Sequence, residues 1–150
     1  MNLLVDTVAS LVKEKDPSLW SISPEAQVYE AIQIMADKHV GSLLVISQER
    51  LVGIITERDY ARKVILRGKS SRLTEISEIM TSPVIFVSPA HTVEDCMRIM
   101  TKMRIRYLPV LRHEEILGIL SIGDLVKWVI SAQEETIVQL QHYIAGAYPG

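Results

Sequence analysis

Apolar side chains recur every three or four positions at Val28, Ala31, Ile32 and Met35, and again at Val93, Cys96, Met97 and Met100. That spacing predicts two helices, each with one buried face. Each is followed by two short β-rich runs: Ser42–Ile46 with Leu51–Thr56, and Tyr107–Leu111 with Ile116–Ser121. Polar turns at Ser47–Arg50 and Arg112–Glu115 separate the runs, as in a hairpin. A second helix follows each pair. A short strand is predicted before each first helix, at Leu19–Ile22 and Ile85–Val87, and Ser23-Pro24 and Ser88-Pro89 read as turn-and-cap residues.

The two halves of this pattern are one pattern used twice. Shifted by 65 positions, residues 21–59 lie over 86–124 without a gap, with eleven identities in 39 positions. Ser23/Ser88, Pro24/Pro89, Val28/Val93, Leu43/Leu108, Val45/Val110, Gly53/Gly118, Ile54/Ile119 and Asp59/Asp124 are among them. Most other pairs exchange like for like, as in Val40/Ile105 and Thr56/Ser121. A register that preserves every apolar run is a duplication, and repeats of this kind fix the fold before any single residue does.

Each copy is a helix, two strands and a helix, which predicts an α/β (α+β) fold of two repeats, each a small sheet with two helices. A unit of about 60 residues buries too little surface to be comfortable alone. Two such sheets can pack on each other about a pseudo-two-fold axis, leaving two related clefts where a ligand would sit. The boundaries that follow are an N-terminal extension over residues 1–18, repeat one over 19–75, repeat two over 76–130 and a helical C-terminal extension over 131–150. Leu125, Val129, Ile137, Leu140 and Ile144 form a near-helical apolar stripe beyond what repeat two needs. A stripe left over after folding usually meets a partner, so a homodimer is expected. The N-terminal stretch Leu3–Val12 is expected to play a similar covering role.

Composition narrows the partners. With 48% apolar residues the chain can build a core, and its net charge of −2 argues against a dedicated polyanion binder. The basic run Arg62, Lys63, Arg67, Lys69 and Arg72 is the one feature favouring nucleic acid, and such runs are usually a solvated face. No secretory signal is legible and no segment reaches the length of about 18 apolar residues needed to cross a bilayer, so a cytoplasmic location without membrane association is expected.

The candidate chemistry lies where the last strand of each copy hands over to its helix: Thr56-Glu57-Arg58-Asp59 and Ser121-Ile122-Gly123-Asp124. A Ser or Thr followed three residues later by an acid is first of all a helix cap. The same geometry also suits a nucleotide. Amides at a helix start attract phosphate, and a carboxylate can accept both ribose hydroxyls. The copies are unequal, since Arg58 has Gly123 as its counterpart, whereas Arg104 and Arg106 stand where copy one has His39 and Gly41. Arg58 and Arg106 are the phosphate candidates, with Arg62 and Lys63 as further ones.

The closing stretches G-I-I-T-E-R-D and G-I-L-S-I-G-D, with Tyr107-Leu108-Pro109-Val110 in the preceding strand, resemble the CBS domain, over about residues 18–130. The resemblance implies a pair of repeats that bind AMP, ATP or an NAD-type ligand, often as a flat homodimer. It implies regulation, with no catalytic cofactor and an unidentified regulated protein partner. The ligand-binding candidates are Ile22, Gly41, Leu43, Thr56, Arg58 and Asp59 in copy one, and Val87, Arg106, Tyr107, Pro109, Ser121 and Asp124 in copy two.

Other features carry less. Gly68-Lys69-Ser70 ends like a phosphate-binding P-loop but lacks its first glycine and preceding strand. Cys96 sits on an apolar helix face and reads as a buried structural thiol. His39, His91, His113 and His142 have no metal-ligand spacing, so no metal is expected. Trp20 and Trp128 could cover a cleft edge or simply pack. No Ser–His–acid or Cys–His arrangement can be assigned, so the chain is not expected to be an enzyme. Besides the nucleotide-binding regulator, two alternatives remain: a structural dimerisation module with empty clefts, and a nucleic-acid-binding protein.

Overall fold

The helix, two strands and helix read in each copy follow one another in that order along the chain. A computed structural model describes residues 5–15 and 18–147, apart from the side chains of 136 and 143–147. The elements are α1 (Val8–Glu14), β1 (Ser21–Ile22), α2 (Val28–Lys38), β2 (Ser42–Ser47), β3 (Arg50–Thr56), α3 (Glu57–Tyr60), α4 (Ile76–Ile79), α5 (Val93–Met103), β4 (Tyr107–Arg112), β5 (Glu115–Ser121) and α6 (Ile122–Ala147). A π-helical turn, Ala61–Ile65, continues α3.

The chain forms two units. The first-repeat unit joins residues 18–85 with 113–116, and the second-repeat unit joins 5–15 with 86–112 and 117–147. In the first, β1 pairs parallel with β2 and β2 pairs antiparallel with β3, with Leu43 opposite Ile55 and Ser42 opposite Thr56. Its core gathers Ile22, Val28, Ala31, Met35, Leu43, Val45, Ile55, Val64, Ile76 and Ile79. In the second, β4 and β5 form a two-stranded sheet, and Val87, Val93, Cys96, Met100, Leu108, Val110, Leu120 and Leu125 are buried. One expected strand is missing. The stretch Ile85–Val87 forms no strand, and only Val87 bridges, in parallel, to Val110.

The helix starts also differ from expectation. Ser23 and Ser88 do not cap. The hydroxyl of Ser23 accepts from the Glu25 amide, and Ser88 meets the His91 ring, so both residues close turns. The N-cap positions lie four residues later, at Gln27, whose side chain makes no cap bond, and at Thr92, which exchanges a reciprocal capping box with Asp95. Between turn and cap the chain spends its backbone groups on another segment. Gln27 bridges Glu75, and its counterpart Thr92 bridges Thr7.

That last pair shows what the N-terminal stretch does. In the first-repeat unit, the amides of Ile76 and Ser77 donate to the carbonyls of Ala26 and Pro24, both at 2.9 Å. In the second, the amides of Val8 and Ala9 donate to the equivalent carbonyls of His91 and Pro89 at 2.8 and 3.1 Å. Val8 and Leu11 are buried, as are Ile76 and Ile79. Thus α1 fills on repeat two the place that α4 fills on repeat one; Leu3 and Leu4 lie outside the described residues.

The same correspondence holds at two glycines, where a neighbouring segment crosses the sheet. A Cβ on Gly53 would stand 2.5 Å from Met80 Sδ and 3.2 Å from the Thr81 carbonyl oxygen. On Gly118 it would meet only Val12 methyls, at 3.4 and 3.6 Å. Gly53→Ala should therefore cost about 1–3 kcal/mol through overpacking. Gly118→Ala should stay within about 0.5 kcal/mol of the parent. Denaturant midpoints of the two variants check the contrast.

Candidate functional site

Both strand-to-helix junctions are built as reciprocal caps. In the first-repeat unit the Thr56 amide and hydroxyl each donate to Asp59 Oδ2 at 3.1 Å, and the Asp59 amide donates back to Thr56 Oγ1. The other carboxylate oxygen, Oδ1, pairs with Lys63 Nζ at 3.0 Å and accepts from the Thr81 hydroxyl at 3.3 Å. Lys63 also donates to the Ile79 carbonyl. Asp59 is thus surrounded by donors from its own unit, and its side chain is only 11% exposed.

The second-repeat unit repeats the cap and changes its surroundings. The Ser121 amide donates to Asp124 Oδ2 at 2.8 Å, and the Asp124 amide donates to Ser121 Oγ. The same Oδ2 takes Lys15 Nζ at 2.7 Å, and Lys15 also donates to the Ile119 carbonyl. Burial pushes the Asp124 carboxyl up, but the hydrogen bonds from Lys15 and Ser121 and the Lys15 charge outweigh it and hold it below the usual carboxylate range. Asp124 is therefore ionised at neutral pH, and its side chain is 27% exposed. It stands in the first turn of the 26-residue α6, whose aligned peptide dipoles favour an anion at that end. Gly123 beside it carries no side chain. Asp59 holds the same place in α3, which continues through the π-helical turn to Ile65.

The remaining candidates fall in place around these junctions, each set within its own unit. The Gly41 carbonyl accepts from the Glu57 amide, and its counterpart, the Arg106 carbonyl, accepts from Ile122. Both residues thus fasten a helix start, and the Arg106 side chain is exposed, as is that of Arg58. Tyr107 opens β4, half-buried. Val87 lies between the backbones of Pro109 and Leu111, donating to one and accepting from the other. Leu43, Val87 and Pro109 are buried, as is Ile22, so their side chains belong to the cores beneath the junctions.

Lys15 and Thr81 were not legible as partners of the two carboxylates. Lys15 lies 109 positions from Asp124, and no periodicity links them. Lys63, a phosphate candidate by sequence, pairs with Asp59 and donates to the Ile79 carbonyl. Trp128 stands at the repeat position of Lys63, and its indole donates to Asp6 Oδ2 at 2.8 Å. It secures the N-terminal stretch. The ring of Trp20 carries the Lys38 ammonium, 4.5 Å from its centroid. Cys96 is buried, and burial lifts its thiol pKa to about 11, which leaves it protonated and inert. Among the described residues no cluster of three His, Cys, Asp or Glu side chains could hold a metal ion, and no helix is long and apolar enough to cross a membrane.

Two capped junctions on duplicated helix–strand–strand–helix units define a tandem-repeat module, and the family comparison agrees. The CBS domain matches residues 12–66 and 76–131, and the chain belongs to the CBS-domain family. CBS domains are regulatory modules known for binding adenine nucleotides. A mitochondrial CBS domain-containing protein of Arabidopsis thaliana is 39% identical over 152 residues, covering 95% of this chain and 73% of the relative. A solved CBS-domain protein from Burkholderia ambifaria superposes with a TM-score of 0.82 at 45% identity, over 85% of this chain and 96% of that one. A hexameric CBS-CP12 protein from bloom-forming cyanobacteria superposes at 0.74 with 26% identity, over 95% and 89% of the two chains.

Proposed function

We propose that this protein is a regulatory module that takes up an adenine nucleotide at the Ser121–Asp124 junction, with the ribose diol on the Asp124 carboxylate. The observation that carries this reading is the contrast between the two aspartates. Asp124 is partly exposed and paired with Lys15 and Ser121 through one oxygen alone, whereas Asp59 is enclosed by Thr56, Lys63 and Thr81 through both. A carboxylate that already faces solvent can accept two hydroxyls at the cost of one partly exposed ion pair, that with Lys15, rather than of an enclosed set of donors. The helix start favours the phosphate, and Arg106, fastened to that start, brings a cation to it.

The role is signalling rather than catalysis, and AMP, ATP and NAD-type ligands all carry the ribose and phosphate that the junction recognises. Self-association belongs to the same reading. Ile130, Ile137 and Leu140 are exposed along α6, and an apolar row of this kind suits a second copy of the chain. The hexameric state of the cyanobacterial CBS-CP12 neighbour supports this reading.

Adenine nucleotides should raise the melting temperature and pyrimidine nucleotides should do so far less. A ligand that binds only the folded state at a hundredfold excess over Kd adds about 2.7 kcal/mol. Thermal melts with AMP, ATP, NAD and CMP make the comparison. No shift with any adenine ligand would remove the nucleotide from the proposal.

A further inference from the structure

The lysines that meet the two junction carboxylates come from different places in the chain. Lys63 lies four residues after Asp59 on the same helical segment, so nothing but local unwinding separates the pair. Lys15 reaches Asp124 from the end of the N-terminal stretch, which is tied to repeat two at a few points. Trp128 holds Asp6, the Val93 amide donates to the Asp6 carbonyl at 2.8 Å, and the amides of Val8 and Ala9 hold His91 and Pro89. Within this arm only Val8 and Leu11 are buried. Such a short element, with so few buried side chains, has a low local opening free energy.

We infer that the Lys15–Asp124 pair is a latch that nucleotide opens, so that occupancy of the junction loosens residues 5–15. This rests on the reading of Asp124 as the ribose acceptor. Oδ2 of Asp124 already accepts from Ser121 and Lys15. A ribose diol bonding to this carboxylate competes with the ammonium for the same lone pairs. Removing Lys15 Nζ from Asp124 unfastens the C-terminal end of the arm and leaves Asp6–Trp128 as its side-chain tether. Coupling of this kind is reciprocal: whatever loosens the arm strengthens nucleotide binding by the same factor. Among the described residues the first-repeat unit has no such device, because the partner of Asp59 is Lys63 on its own helical segment. The latch makes the inequality of the repeats useful, with one junction acting as a fixed cap and the other reporting its occupancy through a detachable segment.

Lys15→Met keeps the aliphatic stem and removes the ammonium. Titration calorimetry should show AMP binding to this variant about two- to fivefold more tightly than to the parent, the range open to a partly exposed ion pair. In the unaltered protein, saturating AMP should speed amide hydrogen exchange at Val8 and Ala9, while Ile76 and Ser77, their counterparts, stay unchanged. Weaker AMP binding by Lys15→Met would make Lys15 a ligand contact and overturn the latch. Unchanged or slower exchange at Val8 and Ala9 would overturn it as well, even with AMP bound. If the unaltered protein gives no heat with AMP, the nucleotide reading itself fails and takes the latch with it.

Discussion

Asp59→Asn should lower stability by roughly 2 kcal/mol, and Asp124→Asn should instead weaken nucleotide binding by about ten- to hundredfold. The two substitutions are chemically identical at equivalent positions of a duplication, so the difference comes from the surroundings. Both oxygens of Asp59 accept hydrogen bonds: Oδ1 from Lys63 and Thr81, and Oδ2 from Thr56. An asparagine must turn its NH2 towards one of these donors, so either the Lys63 ammonium or the Thr56 amide loses its acceptor. Hydrogen bonds to charged groups contribute about 1.5–3 kcal/mol each, and the side chain is too enclosed for water to replace them readily. At Asp124 the donors Lys15 and Ser121 share a single oxygen, Oδ2. An asparagine carbonyl placed there accepts both, and asparagine caps about as well as aspartate. Stability should then fall by less than about 1 kcal/mol, as for a partly exposed ion pair. What disappears is the anionic acceptor for the ribose. Urea unfolding and AMP titration of both variants read the two effects separately.

Leu43→Ala should be the most damaging of the single-residue changes at the candidate ligand positions, at about 2–5 kcal/mol. Leu43 lies on the middle strand of its sheet, opposite Ile55, and its side chain is 0% exposed within the core that includes Met35, Ile76 and Ile79. Deleting three carbons there removes their transfer free energy and leaves a cavity that a close-packed sheet cannot collapse. Because the side chain reaches no solvent, AMP affinity of the folded variant should match the parent. Leu73→Ala is the control. That leucine is 87% exposed, and its loss should change stability by less than about 0.5 kcal/mol. A loss of affinity in folded Leu43→Ala would show that its side chain, rather than its backbone, meets the ligand.

The duplication made much of this architecture legible. Equivalent residues such as Leu43 and Leu108, or Gly53 and Gly118, occupy equivalent strands, and the hairpins fall within a residue of their expected limits. Even left-handed backbone recurs in register, at His39 and Arg104 and again at Gln48 and His113. The Thr92–Asp95 cap was also written in the sequence, as a threonine followed three residues later by an acid. Ser88-Pro89 masks it, because serine and proline favour turns and helix starts alike.

The relation between α1 and α4 was hidden for a physical reason. It is made by backbone hydrogen bonds and two buried aliphatic side chains, which leave almost no trace in residue identity. The pairing of Lys15 with Asp124 depends on that docking, so it was hidden too. The cap motif at each junction could be read directly, but not which carboxylate stays open. That depends on Thr81 and Lys63 closing over Asp59, through contacts formed only once the unit has folded.

Calorimetric titration of AMP into Asp124→Asn beside the unaltered protein, at a temperature where both are folded, bears most directly on the assignment of the ligand to this junction. The unaltered protein should bind AMP, and the variant should bind it about ten- to hundredfold more weakly while unfolding at nearly the same urea concentration. Equal affinity in the two proteins would contradict the assignment of Asp124 as the ribose acceptor.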